Sequence, residues 1–267
     1  MAATRHSNTL ESNTVSERLG MLLIWREQWI ILMVMVGLFF LGWGYMSRVA
    51  SMNFHGYSPF VEPHMLPWTP SDFQAAFLMW SLMMVGMMLP TVAPWVWVLS
   101  VGGADKSKSP GARPLIFLSG YFLVWTAYSL LAALLQWLLH DLLLLQTISA
   151  WLAGTLAVMA GLYQLSPSRL ACLKHCRSPL TFFLSHWKPG SRGALTMGLH
   201  HGLFCVACCW ALMLLFLAAG IMNLLWMVGI TLFVFLDHCV WERGWPGRVA
   251  GFGLVGWGLW LLLPVVG

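Results

Sequence analysis

Seven apolar runs dominate the 267-residue chain and constrain its fold more than any other feature. A helix needs about 20 predominantly apolar residues to cross the hydrocarbon core of a bilayer. The composition suits such helices, because 59% of the residues are hydrophobic and only 9% are charged. The sequence therefore predicts an all-α membrane protein, a polytopic bundle of about seven transmembrane helices. The runs lie near residues 29–46, 73–100, 114–139, 146–165, 197–218, 222–236 and 249–266.

The basic residues indicate how these helices are oriented. With seven spans, every lysine and arginine except Arg48 falls in the N-terminal tail or in connections on the same side as that tail. Positively charged loops tend to remain in the cytoplasm, so we predict a cytoplasmic N-terminus and a C-terminus outside. Merging the nearly continuous fifth and sixth runs would place Arg243 and Arg248 outside and weaken this bias. We expect a cytoplasmic tail at residues 1–28 and one transmembrane domain at 29–267.

The segment HHGLFCVACCWALM, residues 200–213, places two histidines and three cysteines inside an apolar run. One helical face carries four of these side chains, namely His201, Cys205, Cys208 and Cys209. His201 and Cys208 lie about 10 Å apart along a helix axis, too far to share one ion. Two groupings remain open: Cys205 with Cys208 or Cys209 and ligands from another helix, or His201 with Cys205. His200 is a further candidate ligand.

Two other segments on the predicted cytoplasmic side carry residues that bind metals. The connection at residues 166–196 contains RLACLKHCRSP, and the end of the sixth run contains DHCVWE. In a reducing compartment these cysteines are not expected to form structural disulfides. Three groups of ligand-type residues at one membrane face therefore predict a metal site, although each group also suits an ordinary polar boundary. The added candidates are Cys172, Cys176, His175, His238 and Cys239, with Asp237 and Glu242 beside them.

The ligand types favour a soft metal. Thiolates and thioethers select Cu(I), and a cysteine-rich tetrahedral site can also hold zinc. In FLMWSLMMVGMMLP, Met83 and Met87 are one turn apart and are added as candidate ligands. The competing interpretation is that methionine and cysteine simply fill gaps between helices. No haem is expected, because no second intramembrane histidine opposes His200 and His201.

These features predict a metal-handling membrane protein that binds, transports or delivers copper. No nucleotide-binding loop or nucleophile elbow is present, which favours a role without catalysis and without catalytic residues. A membrane subunit of an oxidoreductase complex and a structural partner subunit remain the alternatives. The expected partners are the lipid bilayer and a membrane protein or second copy docked on glycine-rich helix faces, and no nucleic acid.

Four motifs resemble a known family: MWSLMMVGMMLP, GLYQLSPSRLACLKHCRSP, WKPGSRGALTMGLHHGLFCVACCWALM and GIMN. In order and spacing they are similar to a family of bacterial integral membrane proteins described as predicted metal-binding, a domain of unknown function. The resemblance runs from about Phe73 to the end of the sixth run. It implies a multi-pass protein of the bacterial inner membrane with a metal role. The positions that would match are Cys172, Cys176, His201, Cys205, Cys208 and Cys209.

Overall fold

The computed structural model describes residues 28–51, 69–102, 112–139, 146–219, 224–240 and 244–266. Every regular element in these ranges is a helix, as the all-α prediction requires. Almost all of the predicted N-terminal tail, residues 1–28, lies outside them. In chain order the helices are α1 Gln28–Ser51, α2 Pro70–Gly102, α3 Ala112–Leu138, α4 Gln146–Leu165, α5 Pro167–Arg177, α6 Pro179–His186, α7 Gly190–Leu214, α8 Phe216–Ala219, α9 Leu224–Cys239 and α10 Trp245–Val266.

Five of the described helices are long and apolar enough to cross a membrane: α1, α2, α3, α7 and α10. The chain is therefore a membrane protein, as its apolar runs predict. Two further runs form apolar stretches below the usual spanning length, Trp151–Leu165 within α4 and Leu224–Cys239 in α9. The count of seven spans and the orientation of the termini stay predictions.

The connection predicted at residues 166–196 is not an extended loop but contains α5 and α6. Helix α5 starts where the Ser166 side chain accepts a hydrogen bond from the backbone N–H of Arg169, with Pro167 in the first turn. Helix α6 likewise has a proline, Pro179, in its first turn. Serine before proline is a common helix start, because proline lacks only an N–H that would have no partner there. This helical segment brings Cys176 against α7.

Helix α7 lies at the centre of the bundle and packs along α3, with α5 on another side. Glycine allows the close approach to α3, since a side chain at Gly198 would overlap the backbone carbonyl of Phe117. Glycines also lie where α4 meets α10, at Gly251 and Gly258. These three glycines thus serve contacts within the chain.

Methionines of α2 fill much of the interior. Met83 and Met87 are fully buried, and their neighbours on the same helix are at most 2% exposed: Met79, Met84 and Met88. Thr91, one turn after Met87, donates to the Met88 carbonyl and also lies 3.4 Å from the Tyr121 hydroxyl of α3. The methionine row therefore ends near the part of α3 that faces the α7 cysteines.

Candidate metal centre

Three helices that are far apart in sequence bring two thiols and an imidazole together. Cys176 of α5, Cys208 of α7 and His238 of α9 place one ligand atom each within 4.8 Å of one another. The Cys208 sulfur lies 2.9 Å from His238 Nε2 and 3.9 Å from the Cys176 sulfur. All three side chains are buried. We call these three residues the thiol–imidazole centre.

The His238 ring is held so that Nε2 faces the thiols. Its Nδ1 lies 2.8 Å from the backbone carbonyl of Val234, one turn earlier in α9. A carbonyl can only accept, so Nδ1 carries the proton and Nε2 is left as the nitrogen that can bind a metal. Metal-binding histidines are usually oriented in this way by a carbonyl or carboxylate on the other ring nitrogen.

A buried ion pair joins the two helices that supply Cys176 and His238. The Asp237 carboxylate, fully buried, contacts the guanidinium of Arg169 and lies 3.2 Å from Nη2 of Arg177. Arg177 Nε also donates to the Asp237 carbonyl at 2.9 Å. Because Arg177 follows Cys176 and Asp237 precedes His238, this pairing fixes both ligands relative to each other. The two guanidinium groups and the one carboxylate together carry a net positive charge beside the centre.

Helix α2 supports the same end of α5. Trp95 Nε1 donates to the backbone carbonyl of Cys176 at 3.2 Å. The Trp95 ring also stacks on His201, with ring centroids 3.7 Å apart. The rings of Phe117 and Tyr121 lie parallel to His201 on the α3 side, so this histidine sits in an aromatic box.

A second group of potential ligands lies on α7 alone. The sulfurs of Cys205, Cys208 and Cys209 fall within 4.8 Å of one another, and all three residues are buried. We call them the α7 thiol group. Both Cys208 and Cys209 donate to the Cys205 carbonyl, while the Cys205 sulfur lies 3.2 Å from the Tyr121 hydroxyl. Cys208 belongs to both groups and therefore connects them.

The family resemblance matches six candidate ligands. Four of them lie in these two groups, namely Cys176, Cys205, Cys208 and Cys209, and the other two do not. His201 is buried beside them in its aromatic box, in neither group. Cys172 is half-buried, one turn before Cys176. The arrangement favours the grouping of Cys205, Cys208 and Cys209 with ligands from other helices over the pairing of His201 with Cys205.

One of the additional candidate ligands belongs to the groups above, and the others lie outside them. His238 belongs to the thiol–imidazole centre, whereas its neighbour Cys239 is exposed. His175 and His200 are exposed and lie against the Phe204 ring. Met83 and Met87 are in the core on α2.

Arg169, Trp95 and Tyr121 were not singled out from the sequence, although all three support the candidate site. The sequence indicates only that Arg169 and Arg177 are basic residues on the predicted cytoplasmic side. The sequence does contain a signal for the ion pair: a basic residue, Arg177, follows Cys176, and an acidic residue, Asp237, precedes His238. Pairing them requires the fold.

The thiols of α5 are protonated at neutral pH. The pKa of Cys176 lies well above its usual value, because the nearby Cys205 and Cys208 sulfurs favour its protonated form and because it is buried. Burial also raises the pKa of Cys172. Binding of a metal by Cys176 must therefore displace a proton.

The donor set suits a soft ion. Two thiols and one imidazole, with two more thiols adjacent, match the ligands that select Cu(I) and also zinc. Among the described residues the carboxylate nearest to the site is Asp237, which pairs with the two arginines, so these residues offer few of the oxygen ligands that Mg²⁺ and Ca²⁺ need.

The profile of one protein family matches residues 77–261, which contain every helix that supplies these ligands. That family is described as PpoB2, copper chaperone. No curated protein and no solved structure gives a significant match. The matched region covers most of the chain and supports the copper-related, metal-binding role that the ligand types predict. The chain belongs to this copper chaperone family.

Proposed function

We propose that this protein is a membrane-embedded copper chaperone that binds Cu(I) at Cys176, Cys208 and His238 and delivers it to a client protein. The observation that carries the proposal is the convergence of these three buried ligands from α5, α7 and α9. Because these ligands lie on separate helices, they are close enough to bind one ion only when the chain is folded. In the proposed topology this centre lies near the cytoplasmic side of the bacterial inner membrane.

Binding exchanges protons for the ion. Cu(I) forms bonds to the Cys176 and Cys208 sulfurs as their protons leave, and His238 supplies the lone pair of Nε2. The copper does not change oxidation state. Transfer to the α7 thiol group then proceeds by ligand exchange: Cys208 stays bound, Cys205 and Cys209 each lose a proton as they bind, Cys176 takes one proton back, and His238 leaves as a neutral imidazole.

The test compares single serine variants in purified, reduced protein in detergent. Cu(I) affinity is measured under argon against a competing chelator. We expect Cys176→Ser and Cys208→Ser to weaken tight binding by more than about 100-fold, since the loss of even an outer partner of a ligand costs 10- to 100-fold. Cys172→Ser is the matched control, one turn earlier on α5, and Cys239→Ser is an exposed control. Wild-type affinity in Cys176→Ser would contradict the proposal.

One observation favours a second candidate function, a thiol redox role within an oxidoreductase complex. The Cys176 and Cys208 sulfurs are 3.9 Å apart, close enough for a modest movement to form a disulfide. Counting free thiols before and after mild oxidation separates the two functions. A redox role predicts the loss of two thiols in the metal-free protein and no tight copper binding in the reduced protein.

A further inference from the structure

Three exposed histidines form a patch, apart from the buried centre, where the C-terminal ends of α5 and α6 meet the middle of α7. We call His175, His186 and His200 the histidine patch. The Phe182 ring lies against His186 and His200, with centroids 5.1 Å and 5.6 Å away. The Phe204 ring lies against His175 and His200, at 4.6 Å and 4.9 Å. Two phenylalanines thus hold three imidazoles at one surface.

Two histidines of the patch, His175 and His186, engage one ring nitrogen as metal-binding histidines do. His175 Nδ1 lies 3.1 Å from the Ala171 carbonyl, and His186 Nδ1 lies 2.8 Å from the Ser185 hydroxyl. These contacts occupy Nδ1 and leave Nε2 as the nitrogen that can bind an ion. Ligand histidines commonly have one ring nitrogen engaged in this way.

The spacing of His186 and His200 fits a shared ion. Their ring centroids are 5.7 Å apart. With a metal–nitrogen bond of about 2.0 Å, two imidazoles on one ion have centroids roughly 5 to 6.5 Å apart, from tetrahedral to linear geometry. The observed separation lies inside this interval.

The surroundings favour a singly charged ion. A cavity of about 210 Å³ is lined by His175 and His186 and also by Lys174. The positive charge of Lys174 repels a divalent cation more strongly than a monovalent one. Imidazole is a suitable ligand for copper.

We propose that the histidine patch is a second, exposed Cu(I) site, in which His186 and His200 bind the ion before it reaches the buried thiols. The proposal rests on the proposed function, because it names where the cargo first binds. Helix α7 connects the two sites, since His200 and Cys208 are eight residues apart, about 12 Å along the axis.

The experiment titrates the full chain in detergent with Cu(I) under argon. Copper bound per protein is counted in the presence of a weak and then a strong chelator. Wild type should hold a tight ion that resists the strong chelator and a weaker ion that resists only the weak one. His186→Gln combined with His200→Gln should remove the weaker ion and keep the tight one. Leu184→Gln introduces the same residue at an exposed position of α6 and should behave as wild type.

The two proposals fail in different ways. Loss of the weaker ion in the histidine variant supports the patch even if no ion resists the strong chelator, a result that would remove only the thiol–imidazole centre. A weaker ion that persists in the histidine variant overturns the patch and leaves the buried centre intact. Absence of the weaker ion from wild type, or loss of both ions in the histidine variant, also overturns an independent surface site.

Discussion

Cys208 is the residue on which the candidate site depends most. It lies 2.9 Å from His238 Nε2 and belongs to both groups of potential ligands. Its sulfur also donates to the Cys205 carbonyl, three residues earlier on α7. A thiol shared by two groups permits the ion to move by exchanging one ligand at a time. In the proposed function, the bonds from Cys176 and His238 then determine how tightly the buried centre holds the ion.

Copper affinity should rise with pH, and Cys176 should account for part of the slope. Its raised pKa keeps this thiol protonated at neutral pH, so each ion bound there releases a proton. Each released proton makes the affinity rise about tenfold per pH unit. We expect the slope of log affinity against pH, measured between pH 6 and pH 8, to fall by about one in Cys176→Ser.

Cys172→Ser is the control for this slope, because Cys172 also has a raised pKa but lies outside both groups. Its slope should equal that of wild type. An unchanged slope in Cys176→Ser would mean that this thiol does not lose a proton to copper.

At the scale of elements, the short helix α5 and its attachment to α9 matter most. Arg169 and Arg177 on α5 hold Asp237 on α9, while Trp95 of α2 holds the carbonyl end of α5. These contacts position side chains that are adjacent to the ligands in sequence. The centre therefore depends on the packing of three helices rather than on one motif.

Asp237→Asn should both destabilise the protein and weaken copper binding. Removing one partner of a buried ion pair costs about 3–5 kcal/mol, because it leaves the other charge uncompensated. With α5 released from α9, we expect a Cu(I) affinity about 10- to 100-fold lower. Thermal unfolding of the metal-free protein and chelator competition measure the two effects.

Lys174→Gln provides the comparison, since it removes an exposed charge from the same helix. We expect little change in the unfolding temperature or in the affinity of the thiol–imidazole centre. If Asp237→Asn resembles this variant in both measurements, the ion pair does not position the centre.

At the scale of the whole molecule, the helices were more predictable from the sequence than the site. Apolar runs mark spanning helices directly, and α4 has the predicted limits 146–165. Helix α5 is not among the helices predicted from the sequence, because the signal for its start, Ser166 before Pro167, is short and local. The apposition of Cys176 to Cys208 and His238 could not be derived, since contacts between residues 30 or more positions apart depend on how helices pack.

The same limit explains why the sequence groups His201, rather than His238, with the α7 cysteines. Spacing along one helix places His201 on the face of the α7 cysteines, but the structure stacks it on Trp95. His238 lies at the end of another helix, where sequence alone gives it no partner. Only the tertiary contacts distinguish an imidazole packed among aromatic rings from one directed at thiols.

X-ray absorption at the copper edge of the reduced protein, loaded with one equivalent of Cu(I), tests the central claim most directly. The account predicts two sulfur neighbours and one imidazole nitrogen in wild type. It predicts loss of the imidazole signature in His238→Gln but not in His201→Gln. A copper ion surrounded only by thiols in wild type, or an imidazole signature that disappears with His201 instead of His238, would contradict the thiol–imidazole centre.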